Sequence, residues 1–142
     1  MNFPFVKGHG THNDFVVLPD LGGTIHGELA RDVIVKLCDR RAGIGADGVL
    51  RVMRSQGECD WFMDFRNADG STGEMCGNGV RVFARYLAAT RLVSVEQPMS
   101  IDTRAGVRHI TFCDDGDISA DLGEPVVGST STISVGDRTY QA

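Results

Sequence analysis

The distribution of glycine constrains this fold more than any other feature of the sequence. The chain contains 18 glycines in 142 residues, and they cluster in short turns rather than in one flexible linker. Glycine tolerates positive φ angles and lets neighbouring groups approach the backbone closely. We therefore expect the chain to bend sharply, or to pack closely against something, at several points.

Hydrophobic patterning between the turns predicts short strands and two helices. The expected strands cover 13–18, 48–53, 60–66, 99–103, 107–112 and 118–122, with a last pair around Gly136 and Asp137. Apolar stripes at helical spacing predict helices over 28–41 and from about Val80 to Ala89. Many short strands with two helices indicate an α+β domain with a mixed or mostly antiparallel sheet.

Composition excludes several classes of function. The net charge is −5 and no basic stripe is present, so nucleic acid is not an expected partner. No apolar run is long enough to cross a membrane, and the N-terminus lacks the pattern of a signal peptide. Without an export signal, the four cysteines are expected to be reduced thiols in the cytoplasm.

Cys76 is the strongest candidate for a reactive group. It lies among Gly73, Gly77 and Gly79, directly before a predicted helix. Free N–H groups and the dipole at a helix N-terminus favour a thiolate there, and they can also hold an anion beside the sulfur. General base chemistry on carbon, hydrolytic attack with a histidine base and a purely structural role all remain open for this thiol. A redox role would need a second cysteine nearby, and none is present.

Other motifs carry weaker signals. The stretch GIGADG (43–48) matches a dinucleotide-binding pattern, but a helix precedes it and a strand follows, so a tight turn is expected. His9 and His12 are expected in a solvated loop, and no metal site is expected, since no cysteines are paired at zinc spacing. Arg40 and Arg41 are expected at a solvated helix end.

Five segments together resemble the diaminopimelate epimerases, a family of cofactor-independent amino-acid epimerases. They occur in the family's order and cover nearly the whole chain. The segments are GHGTHNDFVVLP (8–19), CDRRAGIGADGVL (38–50), NADGSTGEMCGNGVRVFA (67–84), IDTRAGVRHI (101–110) and ADLGEP (120–125).

The resemblance implies two similar domains, each a β-barrel-like sheet around a central helix, with the substrate in the cleft between them. It implies interconversion of LL- and meso-2,6-diaminopimelate without a cofactor, in a protein that forms homodimers. Cys76 then corresponds to one of two acid/base thiols. The backbone N–H groups of Gly77 and Asn78 would hold the substrate carboxylate, and Asn13 and Asn67 would bind its other polar groups.

The chain departs from the family pattern at several points. His12 stands where the family often has glycine, and Gly48 stands where it often has a substrate-contacting glutamine. A second cysteine motif is absent, and Cys38, Cys59 and Cys113 lack the glycines and helix start that surround Cys76. We therefore expect half of an active site that is inactive alone, from a truncated gene or a shortened chain.

The expected organisation is an N-terminal epimerase domain over 1–117, followed by a linker and the first strands of an incomplete second domain over 118–142. An apolar face left exposed near 67–79 is also expected. Three alternatives remain: a proline racemase-like isomerase, a non-catalytic half-domain that binds a small amino acid or a partner chain, and a cysteine hydrolase.

Overall fold

The computed structural model describes residues 4–141, which form nine strands and two helices. The elements in chain order are β1 (Val6–Gly10), β2 (Asn13–Pro19), α1 (Arg31–Cys38), β3 (Gly48–Arg54), β4 (Trp61–Asn67), α2 (Gly77–Ala89), β5 (Met99–Thr103), β6 (Gly106–Phe112), β7 (Ile118–Ala120), β8 (Thr132–Val135) and β9 (Arg138–Gln141).

Strands β1 to β7 form one mixed sheet in which spatial order follows chain order. The β2–β3 and β4–β5 pairs are parallel, and the other four pairs are antiparallel. Parallel neighbours need a crossover connection, and the two helices supply it, α1 between β2 and β3 and α2 between β4 and β5.

The sheet curls around α2 into a half-barrel. The helix packs on the concave face and contacts both edge strands, β1 and β7. Alternating strand residues such as Phe15 and Val17 point inward against α2 residues such as Phe83 and Leu87. Helix α1 covers the outer face, where Ile34 packs with Val16, Leu18 and Val49. The expected barrel-like sheet around a central helix is confirmed.

Several boundaries differ from the sequence prediction. Helix α2 begins at Gly77 rather than near Val80, and α1 spans only Arg31–Cys38. Strand β1 was not predicted, because its sequence VKGHG lacks alternating apolar residues. Strand β7 lies beyond residue 117 yet pairs with β6, so the first sheet continues to Ala120.

The exposed apolar side chains lie mainly in the C-terminal segment. They include Leu122, Val126, Val127, Ile133, Val135 and Tyr140, whereas no large hydrophobic side chain in 67–79 is among those exposed. Met75 in that loop packs against the core, and the exposed Leu122 lies beside Gly77, so apolar surface near 67–79 comes from the C-terminal segment rather than from the loop itself. Strands β8 and β9 form a separate two-stranded sheet. Among residues 4–141, neither helix is long and apolar enough to cross a bilayer.

Candidate active site

Cys76 is the residue that caps the N-terminus of α2. Its backbone is extended, with φ −139° and ψ 119°, and its carbonyl accepts the first helical hydrogen bond, from the Val80 N–H at 2.8 Å. The N–H groups of Gly77, Asn78 and Gly79 precede that bond, as expected for a first helical turn. The Cys76 side chain is half-buried, and its thiol makes no capping hydrogen bond to these N–H groups.

Asn13 and Asn78 lie next to Cys76. The Cys76 thiol donates to Asn13 Oδ1 at 3.5 Å, and Asn78 Nδ2 donates to the same oxygen at 3.4 Å. Asn13 opens β2, directly after the tight β1–β2 turn, in which Thr11 and His12 both have positive φ. This hairpin thus places Asn13 next to Cys76 at the start of α2, although the two residues are 63 positions apart in sequence.

A charged cluster holds Asn13 from the other side. Asn13 Nδ2 donates to Asp47 Oδ2 at 2.8 Å, and Arg40 pairs with both Asp47 (2.9 Å) and Asp14 (2.7 Å). Lys7 also pairs with Asp14 at 2.6 Å. The Arg40 hydrogen bond is the main cause that holds the pKa of Asp14 far below its usual range.

This cluster adds residues that sequence analysis missed. Arg40 lies two residues beyond α1 with its side chain 58% exposed, as expected for a solvated helix end, and it also pairs with Asp14 of β2. Asp47 carried no local signal of its role, because its contact with Asn13 spans 34 residues. The GIGADG stretch is indeed a tight turn between α1 and β3, with Gly45 at φ +79°.

Asn67 occupies the same end of the sheet without touching Cys76. It closes β4 opposite Gly48, which itself pairs with Phe15 of β2, so Asn67 is two strands away from Asn13. Within residues 4–141 its side-chain amide donates to Ser71 Oγ at 2.9 Å. Of the predicted site residues, the structure brings together Cys76, Gly77, Asn78 and Asn13, whereas Asn67 lies two strands away from Asn13 at the same end of the sheet.

Close packing explains why glycines surround this site. A β-carbon at Gly10 would lie 3.0 Å from the Asn78 carbonyl oxygen, and one at Gly73 would overlap the Phe65 ring. At Gly77 a β-carbon would lie 3.0 Å from Leu122, so the segment after β7 passes over the start of α2. These contacts bring β1, the preceding loop and residue 122 close to Cys76.

The other thiols and the nearby histidines have different surroundings. Cys38 is buried, and burial raises the pKa of its thiol. Burial and the Asp102 carboxylate raise the pKa of Cys59. The rings of His9 and His12 stack on each other, and among the described residues the thiol of Cys76 bonds to Asn13 rather than to a histidine. Residues 4–141 place no cluster of three potential metal ligands together.

Comparison with known proteins decides the family. The model of the family "Diaminopimelate epimerase" matches residues 5–128. The chain belongs to the diaminopimelate epimerase family. It is 54% identical to the diaminopimelate epimerase of Thermobifida fusca (strain YX) over 132 residues, which cover 84% of this chain and 47% of that protein. It is 46% identical to the enzyme of Corynebacterium glutamicum (strain R), over 99% of this chain and 53% of that protein. This member thus spans about half the length of the curated relatives it matches.

Solved structures with little sequence identity share the fold of this diaminopimelate epimerase family member. A methylitaconate-delta-isomerase matches with a TM-score of 0.61 at 18% identity, covering 82% of this chain and 36% of that one. A Bacillus anthracis phenazine biosynthesis protein of the PhzF family matches with a TM-score of 0.58 at 18% identity, covering 80% and 37% of the two chains. At these identities the likeness concerns the fold alone.

The family's frequent glutamine has no equivalent at Gly48 in this member. Gly48 is buried between β2 and β4, and a β-carbon there would lie 2.6 Å from the Arg66 carbonyl oxygen. A larger side chain at this position would require the β3–β4 pair to move apart.

Proposed function

We propose that this chain supplies the N-terminal half of the active site of a diaminopimelate epimerase. One observation carries the proposal: Cys76 is the N-cap of α2 and its thiol donates to Asn13, which also accepts from Asn78, in a chain 54% identical to a diaminopimelate epimerase. The substrate is LL- or meso-2,6-diaminopimelate, and the chemistry is inversion at its α-carbon without a cofactor.

The N-terminus of α2 provides the binding step. The N–H groups of Gly77 and Asn78 have no intrahelical partner and donate hydrogen bonds to the carboxylate of the reacting amino acid. Asn13 and Asn67, at the same end of the sheet, bind other polar groups of the substrate. Holding the carboxylate there places the α-carbon next to the Cys76 sulfur.

Cys76 provides one half of the proton transfer. As a thiolate it removes the α-proton and becomes a thiol, and the electron pair stays on the α-carbon, delocalised into the carboxylate. The N–H groups of the α2 terminus stabilise the charge that develops there. A second, protonated thiol on the opposite face then gives its proton to the carbon, which completes the inversion. In the reverse direction Cys76 acts as the acid.

This mechanism assigns the second thiol to another domain. Cys38 lies under α1 on the outer face, and Cys59 and Cys113 flank strands far from a helix N-terminus, so none is a candidate for the opposing acid. The N-terminal domain, expected over 1–117, extends through β7 to Ala120 in this proposal, and the residues after Ala120 form the linker and the start of the second domain. A cytoplasmic homodimer that binds neither membranes nor nucleic acid is part of the same proposal.

The test joins this chain to the C-terminal part of the Thermobifida fusca relative and measures formation of meso-diaminopimelate from the LL isomer. The joined protein is expected to be active. Cys76→Ala should lower kcat at least ~100-fold, the usual cost of losing a positioned acid/base group. Cys113→Ala, at an exposed thiol, is the matched control and should retain full activity. Equal activity of the two variants would contradict the assignment of Cys76.

A further inference from the structure

A continuous chain of side-chain hydrogen bonds passes the Cys76 thiol and ends on a charged group at each side. At one end the Arg81 guanidinium donates to Asn78 Oδ1, which also accepts from the Thr11 hydroxyl at 3.1 Å. Asn78 Nδ2 donates to Asn13 Oδ1, and Asn13 Nδ2 donates to Asp47 Oδ2 at 2.8 Å. The other carboxylate oxygen of Asp47 is bound by Arg40.

The two ends fix the orientation of both amides. A guanidinium only donates hydrogen bonds, and a carboxylate only accepts them. Asn78 must therefore turn its oxygen to Arg81, and Asn13 must turn its amino group to Asp47. The oxygen of Asn13 is then left facing Asn78 and the sulfur of Cys76, at 3.5 Å from the latter.

An oxygen at that place interacts with the thiol and the thiolate differently. The Asn13 oxygen accepts a hydrogen bond from the protonated thiol, whereas it repels the negative sulfur of a thiolate. If the Asn13 amide turned over, its amino group would face the sulfur and would stabilise the thiolate instead. The orientation of one amide thus shifts the balance between the acid and base forms of Cys76.

We propose that Asp47 and Arg81 are positioning residues that lock the amides of Asn13 and Asn78 so that the Asn13 oxygen faces Cys76. The locked amide presents a hydrogen-bond acceptor to the Cys76 sulfur, whereas the N–H groups at the helix N-terminus are donors. This inference deepens the proposed function, because a reversible epimerase needs the same thiol as base in one direction and as acid in the other.

The surroundings of Asp47 suit such a role. Its carboxylate accepts from the Asp14 N–H at 3.2 Å as well as from Asn13, and its own N–H donates to Asp14. Its carbonyl accepts from the Ala68 N–H at 3.2 Å, next to Asn67. Backbone contacts from Asp14 in β2 and from Ala68, just after β4, therefore hold Asp47 at the end of the sheet.

Two variants at residue 47 separate amide orientation from charge. Asp47→Ala removes both the charge and the acceptor for Asn13, whereas Asp47→Asn removes the charge but keeps one oxygen that can accept from Asn13. The measurement is the rate at which iodoacetamide alkylates Cys76 in the 142-residue chain at pH 7, followed by mass spectrometry. The alkylation rate of the exposed Cys113 in the same sample is the control for changes in the reagent or in the fold. Alkylation itself requires no epimerase activity.

Asp47→Ala should raise the Cys76 rate at least threefold, while Asp47→Asn stays within twofold of the wild type. An equal rise in both variants, or no rise in Asp47→Ala, overturns the proposal. A failure of the proposed epimerase function would instead appear only in the isomerisation assay.

A spectroscopic measurement on the unaltered chain covers the case in which Asp47→Ala does not fold. In ¹H–¹⁵N spectra one side-chain amide proton of Asn13 should exchange slowly with solvent, because it is bonded to the Asp47 carboxylate. The slow exchange of this Asn13 proton should also be weakened in Arg81→Met, because that substitution removes the donor to Asn78 at the other end of the hydrogen-bond series. Rapid exchange of both Asn13 amide protons in the wild-type protein overturns the proposal.

Discussion

The four cysteines of this chain lie in four different environments. Cys38 is buried under α1, and Cys59 lies beside the Asp102 carboxylate, which together with burial raises the pKa of its thiol. Cys113 is exposed, and Cys76 is half-buried at the start of α2. Reactivity toward an alkylating agent follows the thiolate fraction and access to the sulfur, so it should differ among them.

Cys76 is predicted to be the first thiol labelled by limiting iodoacetamide at neutral pH. Cys76 combines a partly exposed side chain with a place at the start of α2, whereas the raised pKa values of Cys38 and Cys59 keep those two thiols protonated. Peptide mapping by mass spectrometry gives the order. Labelling of Cys38, Cys59 or Cys113 ahead of Cys76 would show that the helix terminus does not activate this sulfur.

Among the elements, β4 carries the charged junction that ties the loop before Cys76 to the sheet. Asp64, 3% exposed, pairs with Arg66 at 2.7 Å and with Arg104 at 2.6 Å. Arg104 also donates to the carbonyls of Phe65 and Gly73. Burial alone would raise the pKa of Asp64, but the arginine hydrogen bonds outweigh burial and hold that pKa below its usual range.

Asp64→Asn should lower the free energy of unfolding by about 3 kcal/mol at pH 7, because it leaves partly buried guanidinium groups without their carboxylate. A depressed pKa stabilises the fold above the ordinary aspartate value of about 3.9 and loses that contribution as the pH falls below it. The difference between wild type and variant should therefore shrink between pH 5 and about pH 2.

Urea unfolding across this pH range provides the measurement. Asp32→Asn is the control: the pair of Asp32 with Lys36 at 3.7 Å is exposed to solvent, so its loss should change stability by less than about 0.5 kcal/mol. A pH-independent effect of Asp64→Asn, or an effect no larger than that of the control, would count against this role of Asp64.

The sequence predicts the elements whose apolar pattern is strong and misses those that depend on close packing. Strands β2 to β7 and both helices are recognisable from alternation or helical stripes. Strand β1 is not, because Gly8 and Gly10 give it no pattern, yet these glycines let it approach Val82 of α2. Helix α2 begins at Gly77 although glycine is a poor helix former. A β-carbon at Gly79 would lie 3.2 Å from the Leu50 side chain, so close packing favours glycine at that position.

The residues of the candidate site also divide into those that the sequence reveals and those that it does not. Cys76, Gly77 and Asn78 are visible in one glycine-rich motif, and Asn13 is visible through the family resemblance. Asp47, Arg40 and Arg81 are not, because their roles arise from contacts between distant segments. A single sequence does not specify which acid faces which amide.

At the scale of the whole molecule, the C-terminal segment carries most of the exposed apolar surface. Val126 is 96% exposed and Val127 is 90% exposed, and the apolar residues of β8 and β9 are exposed as well. Apolar patches of this kind mark interaction surfaces. In the proposed full enzyme, the second domain would cover them.

The isolated chain is therefore predicted to self-associate through this segment. Replacing Val126 and Val127 together by serine should shift the association seen by light scattering to at least severalfold higher protein concentration. Val95→Ser, at an exposed valine outside the segment, is the matched control and should have little effect. A strictly monomeric wild-type chain at high concentration would rule out the prediction.

The central claim is that this chain holds one of two opposing proton-transfer groups, and solvent deuterium incorporation tests it most directly. LL-diaminopimelate is incubated in D₂O with the 142-residue chain alone and with the same chain joined to the C-terminal part of the Thermobifida fusca relative. Alone, the open half-site leaves the carbanion in water without a second acid, so neither α-deuterium nor the meso isomer should form at an enzymatic rate. The joined protein should produce both. Robust meso product from the 142 residues alone, abolished by Cys76→Ala, would contradict the account.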